Sequence, residues 1–251
     1  MSGHSKWASI KHKKAATDAK RGRMFTKLIR EISVAARTGG GEPDSNPRLR
    51  TAITAAKGIN MPADNIKRAI KKGTGELPGA AFEEAVFEGY GPGGVALMLE
   101  VTTDNRNRTV SEIRHILSRN GGSMGENGCV SWMFNKKGYI VVPRERADEE
   151  KLMNLVLEAG ADDMSEDSGN WEIFSPPKSY PQVLEAVKAA DIPVETSEIS
   201  MIPQSQVRIS GKSAQQMLKL MDELEEHEDI QHVYANFDID EAEMHALTEA
   251  G

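Results

Sequence analysis

The side chains best able to act on a partner are cations, and they are gathered at one end of the chain. Residues 1–72 hold 17 Lys and Arg against five Asp and Glu, a net of +12, whereas residues 73–251 hold 14 against 33, a net of −19. An acidic chain that collects its positive charge in this way carries the electrostatic footprint of a polyanion binder. The candidates are Lys6, Lys11, Lys13, Lys14, Lys20, Arg21, Arg23, Lys27, Arg30, Arg48, Arg50, Lys67, Arg68, Lys71 and Lys72, with His12 among them and Trp7 beside Lys6. Few carboxylates are interleaved, so ion pairs four residues apart cannot neutralise the run. An indole inside a basic stretch can stack on a nucleobase. The plainer reading is a solvated, lysine-rich helical surface. Nucleic acid is favoured because it uses both the clustering and the tryptophan.

A second candidate pair, Arg106 and Arg108, lies in an otherwise acidic stretch and is flanked by Asn105 and Asn107. Amides and guanidinium groups can bond bases or phosphates. Cations just before or within the first turn of a helix oppose its dipole, so folding alone gives little reason for them there.

The remaining patterns offer less. Gly89, Gly91 and Gly94 satisfy GxGxxG, but Pro92 lies inside the motif and a strand follows it. A dinucleotide fingerprint must instead open a helix, so a hairpin-type turn is expected. The six histidines are scattered without metal-ligand spacing. Cys129 is the single cysteine, which excludes an internal disulfide and any CxxC site. It falls in an apolar run read as a strand, where a free thiol acts as a small core residue. Asp162, Asp163, Glu166 and Asp167 could hold a hard cation, though an acidic loop is the better reading. No reaction centre assembles. The chain reads as a non-enzyme with no cofactor and no metal.

These side chains need elements to carry them. Residues 2–23 contain only Trp7 and Ile10 as large apolar groups, so an arm is expected that orders on a partner. Phe25, Leu28, Ile29, Ile32 and Ala36 then form one helical stripe that stops at Gly39. Asn46-Pro47 caps a second helix bearing Leu49, Ala52, Ile53 and Ala56. A third runs from Pro62 to Gly73 with Ile66, Ala69 and Ile70 inward. Strands are expected at 84–90 and 95–102, then a helix presenting Val110, Ile113, Ile116 and Leu117, capped by a Thr109/Glu112 box or by Asp104 or Asn105. Short strands at 129–134 and 139–142 flank a turn at 136–138. Helix 148–159, strands near 161–165 and 171–174, helix 181–190 and strand 194–199 follow. A strand at 206–210, a helix at 214–226 and a strand at 233–237 complete the pattern, with a frayed acidic tail from 238.

The order β-α-β-β-α-β is that of a ferredoxin-like sandwich. The fold class is therefore α+β in three domains: a small N-terminal helical domain at 1–75, a discontinuous middle α/β domain at 76–134 and 204–240, and an inserted ferredoxin-like α/β sandwich at 135–203, before the tail at 241–251. One long mixed sheet is the competing topology. The N-terminus has no apolar run of the signal-peptide kind, and no stretch reaches the ~18 apolar residues of a membrane span. A cytoplasmic protein without membrane partners is expected.

The stretches GHSKW at 3–7, KHKKAATDAKRG at 11–22, FTKLIREI at 25–32, NPRLRTAI at 46–53, NMPADNIKRAIKKGTG at 60–75, EGYGPGG at 88–94, TDNRNRT at 103–109 and SWMFNKKG at 131–138 form a distinctive set. Through them the sequence resembles the YebC family. Cys129 departs from an expected serine. The resemblance implies three domains and nucleic-acid binding without catalysis. Its bacterial members are labelled probable transcriptional regulators, its mitochondrial relatives are translational activators, and some members relieve ribosomes stalled on proline-rich stretches. The expected function is a regulatory factor of gene expression that binds DNA and/or ribosomal RNA, with the ribosome as a partner. A basic arm ahead of a small bundle suits irregular RNA, and no heptads or dimerisation stripe indicate a symmetric DNA-binding dimer. A monomer is expected. The alternative is a protein–protein adaptor whose basic domain docks on an acidic partner.

Overall fold

In the computed structural model, residues 18–167 and 169–249 are described. They form two compact units, one of 18–129 with 211–233 and the other of 130–210 with 234–249. No helix among them is long and apolar enough to cross a membrane.

The first unit begins with α1 (Asp18–Gly39), α2 (Pro47–Gly58) and α3 (Ala63–Gly73). Helix α1 starts earlier than expected, so Arg21 and Arg23 belong to it rather than to an arm. The Arg21 guanidinium stands 5.6 Å from the Phe25 ring, one turn on, and so extends the helical surface backwards. The bundle core consists of Ile32, Ala35, Ala36, Leu49, Ala52, Ala56, Met61, Ile66 and Ala69, with Phe25, Leu28, Ile29, Ile53 and Ile70 packed against it. Small residues bring α1 and α3 close: a Cβ on Gly73 would stand 2.3 Å from the Ser33 carbonyl oxygen, and Ser33 Oγ donates to the Ala69 carbonyl at 3.1 Å. Asn46 joins α1 to α2. Its Oδ1 accepts from the Leu49 amide at 3.1 Å as the N-cap, and its Nδ2 donates to the Ala35 and Gly40 carbonyls, both at 2.8 Å.

A four-stranded sheet follows, in the order β3-β1-β2-β9, from β1 (Glu83–Tyr90), β2 (Ala96–Thr103), β3 (Ser123–Met124) and β9 (Ile230–Ala235). β1 and β2 are an antiparallel hairpin. The glycine motif forms its turn, with a single 3-10 turn at Pro92–Gly94 and Gly93 at φ +75°. Gly91 is there because a Cβ would meet Met217 Sδ at 2.8 Å. Two helices, α4 (Arg106–Arg119) and α7 (Gly211–Glu226), pack on one another. The N-cap of α4 is Asn105, which accepts from the Arg108 amide. The Thr109/Glu112 box is not used, because Thr109 is buried inside the helix.

The second unit contains β4 (Phe134–Pro143), α5 (Glu149–Glu158), β5 (Asp163–Asp167), β6 (Asn170–Ser175), α6 (Tyr180–Ala189) and β7 (Thr196–Pro203). The sheet order β5-β6-β4-β7, with antiparallel neighbours, is the ferredoxin-like topology and excludes one long mixed sheet. Ile140, Val142, Leu152, Val156, Trp171, Ile173, Val183 and Val187 fill the space between sheet and helices. Short parallel strands β8 (Val207–Arg208) and β10 (Phe237–Asp238) pair separately.

Several sequence expectations are corrected. Residues 129–133 are not a strand: Gly128 at φ +87° donates its amide to Glu88 Oε1 at 2.7 Å, and a 3-10 turn occupies Ser131–Met133. Residues 136–138 are not a turn but the middle of β4. Gly138 serves packing there, since a Cβ would stand 2.6 Å from Tyr180 Cβ. β3 was not expected, β7 lies further along than 194–199, and the strand expected at 233–237 divides into β9 and β10. The acidic tail contains α8 (Glu241–Glu249), preceded by buried Ile239 and anchored by buried Met244.

Candidate nucleic-acid interface

Helix α3 follows from an amphipathic repeat, and its outer surface carries charge. Ile66 and Ala69 point into the bundle, whereas Lys67, Arg68, Lys71 and Lys72 are exposed. Lys67 and Lys71, like Arg68 and Lys72, are one turn apart, which places four positives on neighbouring positions. Among the described residues none of these four side chains has a hydrogen-bond or ion-pair partner. Arg37 at the end of α1 and Lys57 at the end of α2 are exposed in the same condition. Among the described residues the Arg50 side chain reaches only the Pro43 and Asp44 carbonyls, both at 3.4 Å. Lys6, Trp7, Lys11, His12, Lys13 and Lys14 lie outside the described residues; Lys20 contributes backbone to α1.

The other expected contacts are tied into the fold. Arg23 pairs with Glu226 at 3.0 Å, and Lys27 Nζ donates to the Glu225 carbonyl at 2.7 Å. Arg48 grips Glu31 at 2.7 Å and Glu84 at 2.6 Å. Hydrogen bonds to Glu31 and Glu84 push its pKa above the ordinary arginine value. Spacing along the run missed these pairs because their carboxylates come mainly from distant sequence.

The densest knot surrounds Asp229, which is 2% exposed. Arg30 ion-pairs to one of its oxygens. Arg108 donates to the other at 2.9 Å, and the Thr109 hydroxyl donates to that same oxygen at 2.5 Å, with Thr103 Oγ1 3.2 Å away. Burial disfavours the charged carboxyl, but Thr109, Arg108 and Arg30 outweigh it and lower its pKa to about 2. Arg108 also bonds Asp104 at 2.9 Å. It therefore has a folding role, contrary to the reading of its helix position alone. Arg106 stands 5.3 Å from the Phe87 ring.

A polar cleft of about 490 Å³ opens beside this knot, bordered by Glu112, His115, His227 and Glu228. The Asp229 amide donates to His227 Nδ1 at 3.1 Å, leaving Nε2 to face Glu112 at 3.0 Å. Glu112, His227 and Asp229 could each turn a ligand atom to one ion. Two guanidinium groups already occupy Asp229, so an ion-pair network is the better account. Cys129 is half-buried in a turn, where burial and nearby Glu88 push its thiol pKa up. That disfavours a thiolate nucleophile.

Comparison with known proteins agrees along the chain. Residues 5–76 match the TACO1/YebC protein N-terminal domain, and residues 82–237 match the TACO1/YebC second and third domain. The chain belongs to the TACO1/YebC family. A relative from Acidobacterium capsulatum, named a probable transcriptional regulatory protein, is 60% identical and covers 97% of this chain and 98% of its own. One from Geobacter sulfurreducens with the same description is 58% identical over 98% of this chain and all of its own. The crystal structure of a conserved hypothetical protein from Aquifex aeolicus is 51% identical and superposes with a TM-score of 0.80, covering 92% of this chain and 96% of that one.

Within this family fold, sequence reasoning had missed Asp229 as the partner of Arg30 and Arg108. The available signal was the TDNRNRT stretch itself. Its two threonines, six residues apart, approach to 2.8 Å between hydroxyls and face the same carboxylate. Arg37 and Lys57, basic residues in the last turns of their helices, join the exposed cations although the expected contacts do not include them.

Proposed function

We propose that this protein is a non-enzymatic regulatory factor that binds DNA and/or structured RNA through its N-terminal helices. The observation that carries the reading is the exposed surface of α3, where Lys67, Arg68, Lys71 and Lys72 have no partner among the described residues while Arg23, Lys27, Arg30 and Arg48 are tied to acidic residues or carbonyls. Cations left free on a packed helix supply the phosphate contacts that dominate affinity. The regulatory names of the relatives support the same role. Ribosomal RNA suits the basic N-terminal segment best, since irregular RNA is recognised by shape and backbone.

The test is Lys67→Ala/Arg68→Ala/Lys71→Ala/Lys72→Ala in the full chain. Binding to duplex DNA and to folded RNA should weaken by about tenfold or more at moderate salt, with a shallower salt slope. The melting temperature should stay nearly constant, because the four side chains lie outside the core and alanine favours helix. Unchanged binding by a folded variant would overturn the reading. Partners that survive nuclease treatment of a pull-down would indicate the adaptor instead.

A further inference from the structure

We propose that a pocket behind the C-terminal end of α3 holds one unpaired nucleotide, so that the preferred partner is a single-stranded stretch rather than a continuous duplex. This rests on the nucleic-acid reading above and adds the structural class of the ligand. The pocket has a volume of about 320 Å³ and lies wholly within the first unit, between α1, the end of α3 and the connection leading to β1. That is the lower end of the ~300–1,000 Å³ range of ligand sites, which suits one small planar group.

Charge, walls and donors agree on that occupant. Arg37 and Lys72 line the pocket, both exposed and neither with its side chain bonded to a described residue. Glu84, whose charge Arg37 feels, is already held by Arg48 at 2.6 Å. A phosphate between Arg37 and Lys72 would continue onto the remaining cations of α3. The walls include Val34, at 1% exposure, with Leu77 and the Phe82 ring. Arg30 stands 5.6 Å from the Phe82 ring centroid and holds that side in place. Apolar and aromatic surfaces of this kind receive a base without reading its sequence. Along the connection, the amides of residues 79–82 donate no backbone hydrogen bond to a described residue, so they are available to the polar edge of a base. Lys72 lies across Gly79, where a Cβ would stand 3.2 Å from Lys72 Cδ. Gly79 is outside the left-handed region, so a side chain is conformationally tolerated there and would project against the lysine stem.

The experiment uses the full chain with short single-stranded RNA and DNA containing 2-aminopurine, and with duplexes of matched length and salt. Wild type should favour single strands and change the 2-aminopurine fluorescence. Gly79→Leu should weaken single-strand binding roughly tenfold and remove the fluorescence change. Its duplex binding and melting temperature should stay near wild type. Should the leucine variant melt early, Ala80→Leu carries the same comparison, since that residue also lines the pocket, is exposed and bears no charge. The RNA and DNA arms tell which single strand is preferred. Equal losses for duplex and single strand, no loss for either, or displacement of RNA by poly-glutamate at equal charge concentration would overturn the pocket assignment. A wild type that binds no nucleic acid, or a fourfold α3 variant that binds normally, would instead overturn the function proposed above. Loss in the α3 variant with none in Gly79→Leu or Ala80→Leu would overturn the pocket alone.

Discussion

Asp229 shows how much one side chain can decide. It is nearly inaccessible and satisfied by two guanidinium groups and a threonine hydroxyl. Replacing it by Asn would leave Arg30, whose side chain is only 11% exposed, with only the longer contacts to Glu228 and the Thr102 carbonyl, both at 3.5 Å, among the described residues. Asp229→Asn should therefore cost about 3 kcal/mol in urea unfolding. Arg108→Ala should cost less, about 1 kcal/mol, because that side chain is 42% exposed and solvent screens it. The pH response has a definite sign. The folded carboxyl titrates at about 2, below its ordinary 3.8, so its contribution is complete above roughly pH 4 and disappears as pH falls towards 2. A shift of that size corresponds to about 2 kcal/mol. Urea midpoints measured from pH 5 to pH 2 should fall for wild type, and the fall should be shallower by that amount in Asp229→Asn. Parallel curves would show that the carboxyl is not held ionised.

At the scale of the element, the helical bundle depends on small residues and one amide as much as on its apolar stripe. Asn46 is 5% exposed and makes three hydrogen bonds that start α2 and close the end of α1. Asn46→Ala removes a cap and leaves carbonyls without their partner, a loss of about 2 kcal/mol. Gly73→Ala is the opposite perturbation. Its Cβ would meet a backbone oxygen rather than a flexible side chain, so α1 and α3 must separate, at about 1–3 kcal/mol. Both losses should appear in thermal unfolding followed by circular dichroism. A Gly73→Ala protein of wild-type stability would mean that the two helices approach less closely than described. Separation there would also displace Lys72, so nucleic-acid affinity should fall with stability in that variant but not in Asn46→Ala.

Over the whole molecule, the net charge of −7 conceals a positive end and a negative remainder. Some of that opposition is spent internally, as in Arg23–Glu226 and Arg30–Asp229. What remains free governs long-range attraction to polyanions and should depend on ionic strength. If the N-terminal lysines contact phosphate, replacing Lys11, Lys13 and Lys14 together by Ala should lower the slope of log affinity against log salt by about 2–3 on duplex DNA. Fluorescence anisotropy between 50 and 200 mM salt, a range chosen to expose about 10³–10⁵-fold changes for multi-phosphate contacts, measures that slope. An unchanged slope would confine the contact to the helical bundle.

Most elements were legible in the chain before it was folded, because helical stripes and strand alternation are local. Phe25 to Ala36, Asn46-Pro47 and the β-α-β-β-α-β order each report on neighbours a few residues away. Glycines were legible only in part. At Gly91 a turn signal was read correctly, whereas at Gly138 the same residue type marked a close approach to Tyr180 inside a strand. The exposed positives of α3 followed from its repeat alone. Which of the other cations remain free did not, because their partners come from far away in sequence: Asp229 is 199 residues from Arg30 and 121 from Arg108. Charge composition states that opposite charges exist; only the folded chain brings a particular carboxylate against a particular guanidinium and shields the pair from water. The pocket behind α3 has the same origin, since Arg37 and Lys72 share it only after α1 and α3 have packed.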